Sequence, residues 1–351
     1  MKTRTKVLLG MGAAAGVLVA AARAGNRTAA TRIRATVDPD LDPLYEVPPG
    51  VVHHDLLTPD GGTAHVLEVG RGRPVVLVHG VTLQAEVWAP LMHLLSGRFR
   101  VVALDVRGHG RSAVGTEGVG RVAAARDLAY VLEQLDLHGA VLVGHSMGGM
   151  IIGELCAHHP EVVAERVAAL VLMNTVVSNL VPSRVVPAAR ALRRRADDRA
   201  AAGRRMPRVV GANDRSLLAT RIAFGARPSG AAVEQARRMG EEVDLRYYVP
   251  LWADLLDYDG EAALETLDIP ALVLVGSRDV LTPPAMARRI VSHLDQGELH
   301  VLQGAGHQLM QERPHEVARL IADLADRLEP VAGADADDGA DAGVDAGVET
   351  V

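Results

Sequence analysis

Ser146 stands in Gly144-His145-Ser146-Met147-Gly148-Gly149, directly after the apolar run Ala140–Val143. A β-branched run ending in Gly-x-Ser-x-Gly predicts a strand that turns sharply into a helix with the serine at the apex, small residues on both sides relieving the crowding. An alcohol is a weak nucleophile near neutral pH, so such a serine needs a base within hydrogen-bond reach. His307, in Gly304-Ala305-Gly306-His307-Gln308, is the best candidate, since it falls between the last apolar run and the last helical pattern. An imidazole acting as base needs an acceptor that holds its tautomer and stabilises the imidazolium. Asp279, in Gly276-Ser277-Arg278-Asp279, follows the run ending at Val275, whereas the preceding run ends at Asn174, a neutral amide. Asp279 is therefore the expected acid, although an aspartate after a strand is also an ordinary turn residue.

Acyl transfer also requires donors aimed at the developing oxyanion. The backbone amide of Met147, at the helix start after the serine, is one expected donor. The second is expected in His79-Gly80-Val81-Thr82, after the run ending at Val78. Val81 is the first choice there and Thr82 the alternative. Asp105-Val106-Arg107-Gly108-His109-Gly110-Arg111-Ser112 lacks the Gly-Lys-Ser/Thr of a phosphate loop and reads as a structural turn shaping the pocket wall. His145 reads as support for the turn, and Cys156, the only cysteine, as a small core residue.

To bring these residues together the chain needs a sheet whose strand ends share one edge. Val51–Leu57 and Thr63–Val69 flank Pro59-Asp60-Gly61-Gly62, which predicts a hairpin. Six apolar runs then have the length of buried parallel strands: Pro74–Val78, Val101–Leu104, Ala140–Val143, Ala169–Met173, Ala271–Val275 and Leu299–Leu302. Helical patterns separate most of them, at Ala85–Leu95, Val122–Leu135, Met147–His158 and Pro283–His293, and Pro314–Leu328 follows the last. This is an α/β pattern: a mostly parallel, doubly wound sheet covered on both faces, with its ligand at the carboxyl ends of the strands. The long connection from Met173 to Ala271 has helical pieces but no comparable strand, and reads as an inserted helical cap over about 176–260.

The two ends differ from the body in composition. Residues 1–36 carry Lys2, Arg4, Lys6, Arg23, Arg27, Arg32 and Arg34 with no acid, around an uncharged stretch from Val7 to Ala22. That suggests a secretory signal or an uncleaved anchor, with an amphiphilic leader on a cytoplasmic enzyme as the third reading. Membrane or cell-envelope association is the favoured expectation. The tail 331–351, rich in Ala, Asp, Gly and Val, has too little large apolar surface to offset ordering entropy and reads as disordered. The body between is modestly acidic, which excludes a nucleic-acid-binding signature. The early cap is basic, with Arg193, Arg194 and Arg195 adjacent. It reads as solvated helix faces or, alternatively, as a contact with anionic lipid.

Taken in order, these motifs resemble the α/β-hydrolase superfamily, in particular its capped esterase and lipase-like members. The resemblance spans about Val51–Leu328 apart from the cap and implies an α/β-hydrolase domain over 48–330. It implies nucleophile Ser146, acid Asp279, base His307, oxyanion amides from Val81 and Met147, and no cofactor or metal. Serine at the nucleophile position separates the chain from the dehalogenase and epoxide-hydrolase branches, which carry aspartate there. The expected activity is two-step hydrolysis of a small-molecule ester with an apolar acyl or alcohol part. The alternatives are a perhydrolase of the non-haem haloperoxidase kind using the same triad, and a non-catalytic ligand-binding module.

Overall fold

The computed structural model describes residues 25–178 and 211–329, with four isolated positions between them. The apolar runs form one eight-stranded sheet: β1 (Val52–Leu57), β2 (Thr63–Val69), β3 (Pro74–Val78), β4 (Arg100–Leu104), β5 (Ala140–His145), β6 (Val167–Met173), β7 (Ala271–Gly276) and β8 (Gly297–Leu302). Their spatial order is β1-β2-β4-β3-β5-β6-β7-β8. β1 and β2 pair antiparallel, as does β2 with β4, and every later pairing is parallel.

Strands β3, β5 and β7 are buried along their whole length, so both faces must be covered, and successive side chains enter opposite layers. Val76, Val78 and Leu142 join one core with Leu128, Leu132 and Leu155. These leucines come from α2 (Arg121–Gln134) and α3 (Met147–His158). Val75, Leu77 and Val141 join the other core with Leu91, Met92 and Ile321. This layer is supplied by α1 (Ala89–Leu95) and by α11 (Pro314–Ala325), the last helix.

The chain leaves β3 on one side to form β4, then crosses to the other side of β3 to form β5. Connections that diverge in this way leave a crevice beyond the carboxyl ends of the strands. The parallel register sets Val78 beside Gly144, which brings the turn after β3 against the turn after β5. The site therefore has its place before any catalytic residue is considered.

The insertion after β6 is helical where it is described, in α5 (Asp214–Arg221), α6 (Gly230–Glu242) and α7 (Leu245–Leu255). Short helices not anticipated from the sequence also occur: α4 (Pro160–Arg166), α8 (Glu261–Glu265) and α10 (Leu309–Glu312). A further helix, α9 (Pro284–Val291), precedes β8. Residues 25–34, assigned by composition to the leader, are helical, and Ala30 is fully buried. The carbonyl of Thr36 accepts from the amide of Gly230 at 2.7 Å, and Arg34 pairs with Asp214 at 2.9 Å, so this stretch packs on the cap. Among the described residues no helix is long and apolar enough to cross a membrane. The apolar stretch Val7–Ala22, nearly all of the basic cap segment and the acidic tail lie outside the described residues.

Candidate active site

Ser146 takes φ 53° and ψ −116° between β5 and α3, a backbone conformation that costs a non-glycine residue on the order of 1–3 kcal/mol. The surroundings enforce it. The Ser146 amide donates to the Met173 carbonyl at 3.0 Å, and the Thr175 hydroxyl donates to the Ser146 carbonyl at 2.6 Å. A β-carbon on Gly148 would lie 2.0 Å from the Val78 carbonyl oxygen, and one on Gly144 would lie 2.6 Å from the Gly149 nitrogen. Both glycines are therefore needed for the helix to start so close to the sheet. Among the described residues the Ser146 hydroxyl has no hydrogen-bond partner, and it faces a cavity of about 410 Å³.

His307 lines the same cavity. Its Nδ1 lies 2.8 Å from Asp279 Oδ2. A carboxylate can only accept, so the proton resides on Nδ1 and Nε2 is left with its lone pair. Asp279 also accepts from the amides of Leu281 and Thr282 at 2.8 and 2.9 Å, from the Thr282 hydroxyl at 2.6 Å and from Asn174 Nδ2 at 2.5 Å. Burial pushes this carboxyl up, but His307, Thr282 and Asn174 outweigh it and bring it down to about 2. Asn174 thus occupies the alternative acid position and works as a donor to the acid itself.

The loop carrying His307 is held from several sides. Its amide donates to the Ala223 carbonyl at 2.7 Å, and its carbonyl accepts from His145 Nε2 at 2.8 Å. The fully buried His145 ring lies 4.8 Å from that of His307, and burial drives its pKa well below the ordinary histidine value. Glu312 brackets the histidine: Oε1 accepts from the amides of Gly306 and Gln308 at 2.9 and 3.2 Å, and Oε2 from Gly225 at 2.6 Å. One carboxylate therefore joins the cap to both neighbours of His307. Sequence reasoning missed Glu312, Thr282 and the role of Asn174. Thr282 carried a faint signal, since an Asp followed three residues later by Thr often closes a local turn.

Of the two candidate amides after β3, that of Thr82 already donates to His109 Nε2 at 3.3 Å. The amides of Val81 and of Met147, the first residue of α3, have no acceptor among the described residues, and both residues line the cavity. His109 can accept because burial, reinforced by His79, holds its pKa at about 3 and keeps the ring neutral. His79 is likewise held at about 4 by burial, with Nε2 accepting from Val106 at 3.0 Å.

The 105–112 turn is structural, as expected. Asp105 accepts from the amides of Ala85 and Arg111 at 2.7 and 2.9 Å, and Arg107 pairs with buried Asp127 at 2.6 Å. It does not form the wall of this cavity, however. Its residues line a neighbouring cleft and act on the site only through the bond from Thr82 to His109. Cys156 is buried in the core, with its thiol pushed up to about 12.

The cavity wall is mainly apolar, with Leu83, Met150, Ala223, Trp252 and Leu281 prominent, and among the described residues no Asp, Glu, Lys or Arg lines it. A strained serine, a tautomer-locked imidazole and two amides without acceptors among the described residues, around a mainly apolar cavity, can support acyl transfer to and from the serine.

The sequence matches the family described as alpha/beta hydrolase fold over residues 73–314. A putative non-heme haloperoxidase of Mycobacterium phage D29 is 37% identical over 35% of this chain and 43% of its own length. A non-heme chloroperoxidase of Streptomyces lividans is 31% identical, over 69% of this chain and 88% of that protein. Among solved structures, a thermophilic esterase from Thermogutta terrifontis superposes with a TM-score of 0.65 at 26% identity, covering 78% of this chain and 97% of that one. With the match running from β3 to the start of the last helix, the chain belongs to the α/β-hydrolase fold family.

Proposed function

We propose that the protein is a serine hydrolase that cleaves neutral carboxylic esters through an acyl-enzyme. The observation that carries the reading is that Ser146, whose hydroxyl has no partner among the described residues, shares one mainly apolar cavity with an imidazole whose Nδ1 is bonded to Asp279. Ser146 attacks the ester carbonyl carbon while His307 Nε2 takes the hydroxyl proton. The resulting oxyanion receives hydrogen bonds from the Val81 and Met147 amides. Collapse breaks the acyl–oxygen bond, and the departing alcohol takes the proton from His307. Water then attacks the acyl-enzyme, again giving its proton to His307, and the acid is released with Ser146 restored.

Ser146→Ala tests this directly. Turnover of p-nitrophenyl esters and labelling by a fluorophosphonate probe should both vanish while the thermal unfolding midpoint stays in place. Labelling that persists in the variant would identify another serine.

A second reading is favoured by the relatives named as haloperoxidases. Hydrogen peroxide in place of water would attack the same acyl-enzyme and release a peracid, which oxidises halide. Comparing halide oxidation in peroxide and acetate with plain ester turnover separates the two.

A further inference from the structure

The cavity wall carries few polar side chains, and most are already committed. The Thr282 hydroxyl donates to Asp279, His145 Nε2 donates to the His307 carbonyl, and the Thr220 hydroxyl donates to the Ser216 carbonyl. Gln308 is different. It lines the cavity and is only 6% exposed, yet its Oε1 is sealed from solvent without a partner. Its Nε2 has no partner among the described residues either, and it is not among the sealed atoms, so that end of the amide opens on the cavity. The residue is firmly planted, because its backbone amide donates to Glu312 Oε1 at 3.2 Å and α10 begins directly after it. The sealed Oε1 is costly to leave without a partner, and the accessible Nε2 is a donor committed to no described residue.

We infer that the Gln308 amide is a specificity-determining contact that hydrogen-bonds a hydroxyl on the leaving alcohol of the substrate. This rests on the ester-cleaving reading above. The side of the cavity follows from the mechanism: the alcohol oxygen must reach His307 to collect its proton, and Gln308 is the adjoining residue on the same wall. The ligand chemistry follows from the amide. The accessible end is the Nε2 donor, so its partner must accept, and a hydroxyl oxygen on the leaving alcohol does so. None of the described residues that line the cavity is an Asp, Glu, Lys or Arg, which favours a neutral group. The substrate class is then an ester of a diol or polyol with one acylated oxygen and a neighbouring free hydroxyl.

Two butanoate esters test this, the 2-hydroxyethyl and the n-propyl ester, which differ only in a terminal hydroxyl against a methyl. Wild-type kcat/KM should favour the hydroxyethyl ester, and Gln308→Met should lower the ratio of the two values by about tenfold or more. A wild-type preference for the propyl ester, or a ratio unchanged in the variant, overturns the proposal. If Gln308→Met abolishes turnover, the same ratio is read from the Kd values of the two esters in the Ser146→Ala protein with and without Gln308→Met. An unchanged Kd ratio overturns the proposal equally. Failure of the wild-type protein to cleave either ester, with Ser146 refractory to fluorophosphonate, is a distinct result that strikes the ester reading itself.

Discussion

At Asp279 five donors converge on one buried carboxylate, and the consequence is a group that stays ionised far into acid. Its folded-state pKa of about 2 lies below the ordinary 3.8. The stabilisation it contributes is therefore complete above about pH 4 and is lost as pH falls through 2. Loss of activity on mild acidification therefore does not arise from protonation of Asp279. Asp279→Asn keeps the shape but removes the charge and allows the wrong imidazole tautomer. It should lower kcat on the order of 10³–10⁴-fold, measured on a p-nitrophenyl ester, with KM changed far less.

The elements matter through how closely they approach one another. α3 begins almost in contact with the end of β3, and the gap is narrow enough that only hydrogen atoms fit between Gly148 and the Val78 carbonyl. Gly148→Ala should destabilise the protein by about 3 kcal/mol and displace the Met147 amide, because backbone rather than a flexible side chain must yield. Urea unfolding measures the first effect. A fall in kcat/KM exceeding the loss of folded protein measures the second. The loop after β8 is the other such element, carrying His307 between the bonds to Ala223, His145 and Glu312. Because Glu312 also grips Gly225, cap position and base position are mechanically linked.

Across the whole molecule, three neutral histidines, His79, His109 and His145, are buried beneath the site. Each has a folded-state pKa depressed by burial, so the unfolded chain binds protons that the folded one refuses. Stability is full above the ordinary histidine value of 6.5 and falls as the pH drops below it, continuing to about 4 for His79. The thermal midpoint should drop steadily over that interval, and an unchanged midpoint from pH 7 to 5 would contradict the neutral, buried assignment. Activity assays in acid therefore need a matched unfolding curve to separate loss of catalysis from loss of the fold.

All eight strands and most of the longer helices were legible in the primary order, the central strands because burial on both faces demands a short apolar run, and β1 with β2 because turn residues separate them. The serine turn was equally legible, since its glycines are dictated by contacts within one strand–turn–helix unit. Short helices such as α4 and α8 were not, for a turn or two of helix carries too little periodicity to stand out. Nor was the helical packing of residues 25–34, whose basic composition matches an export leader while Ala30 is buried in the fold. The partners of the candidate acid and base were least legible of all. Asn174, Thr282 and Glu312 come from three separate turns, and hydrogen bonds between residues distant in sequence leave no local pattern. The sequence by itself determined the type of fold, the serine turn and the order of the candidate serine, acid and histidine, all of which are local patterns. Only the tertiary structure decided that the Thr82 amide is occupied while that of Val81 has no acceptor among the described residues, and that Gln308 opens on a mainly apolar cavity. Those facts depend on which atoms meet across strand ends, and that is set by packing.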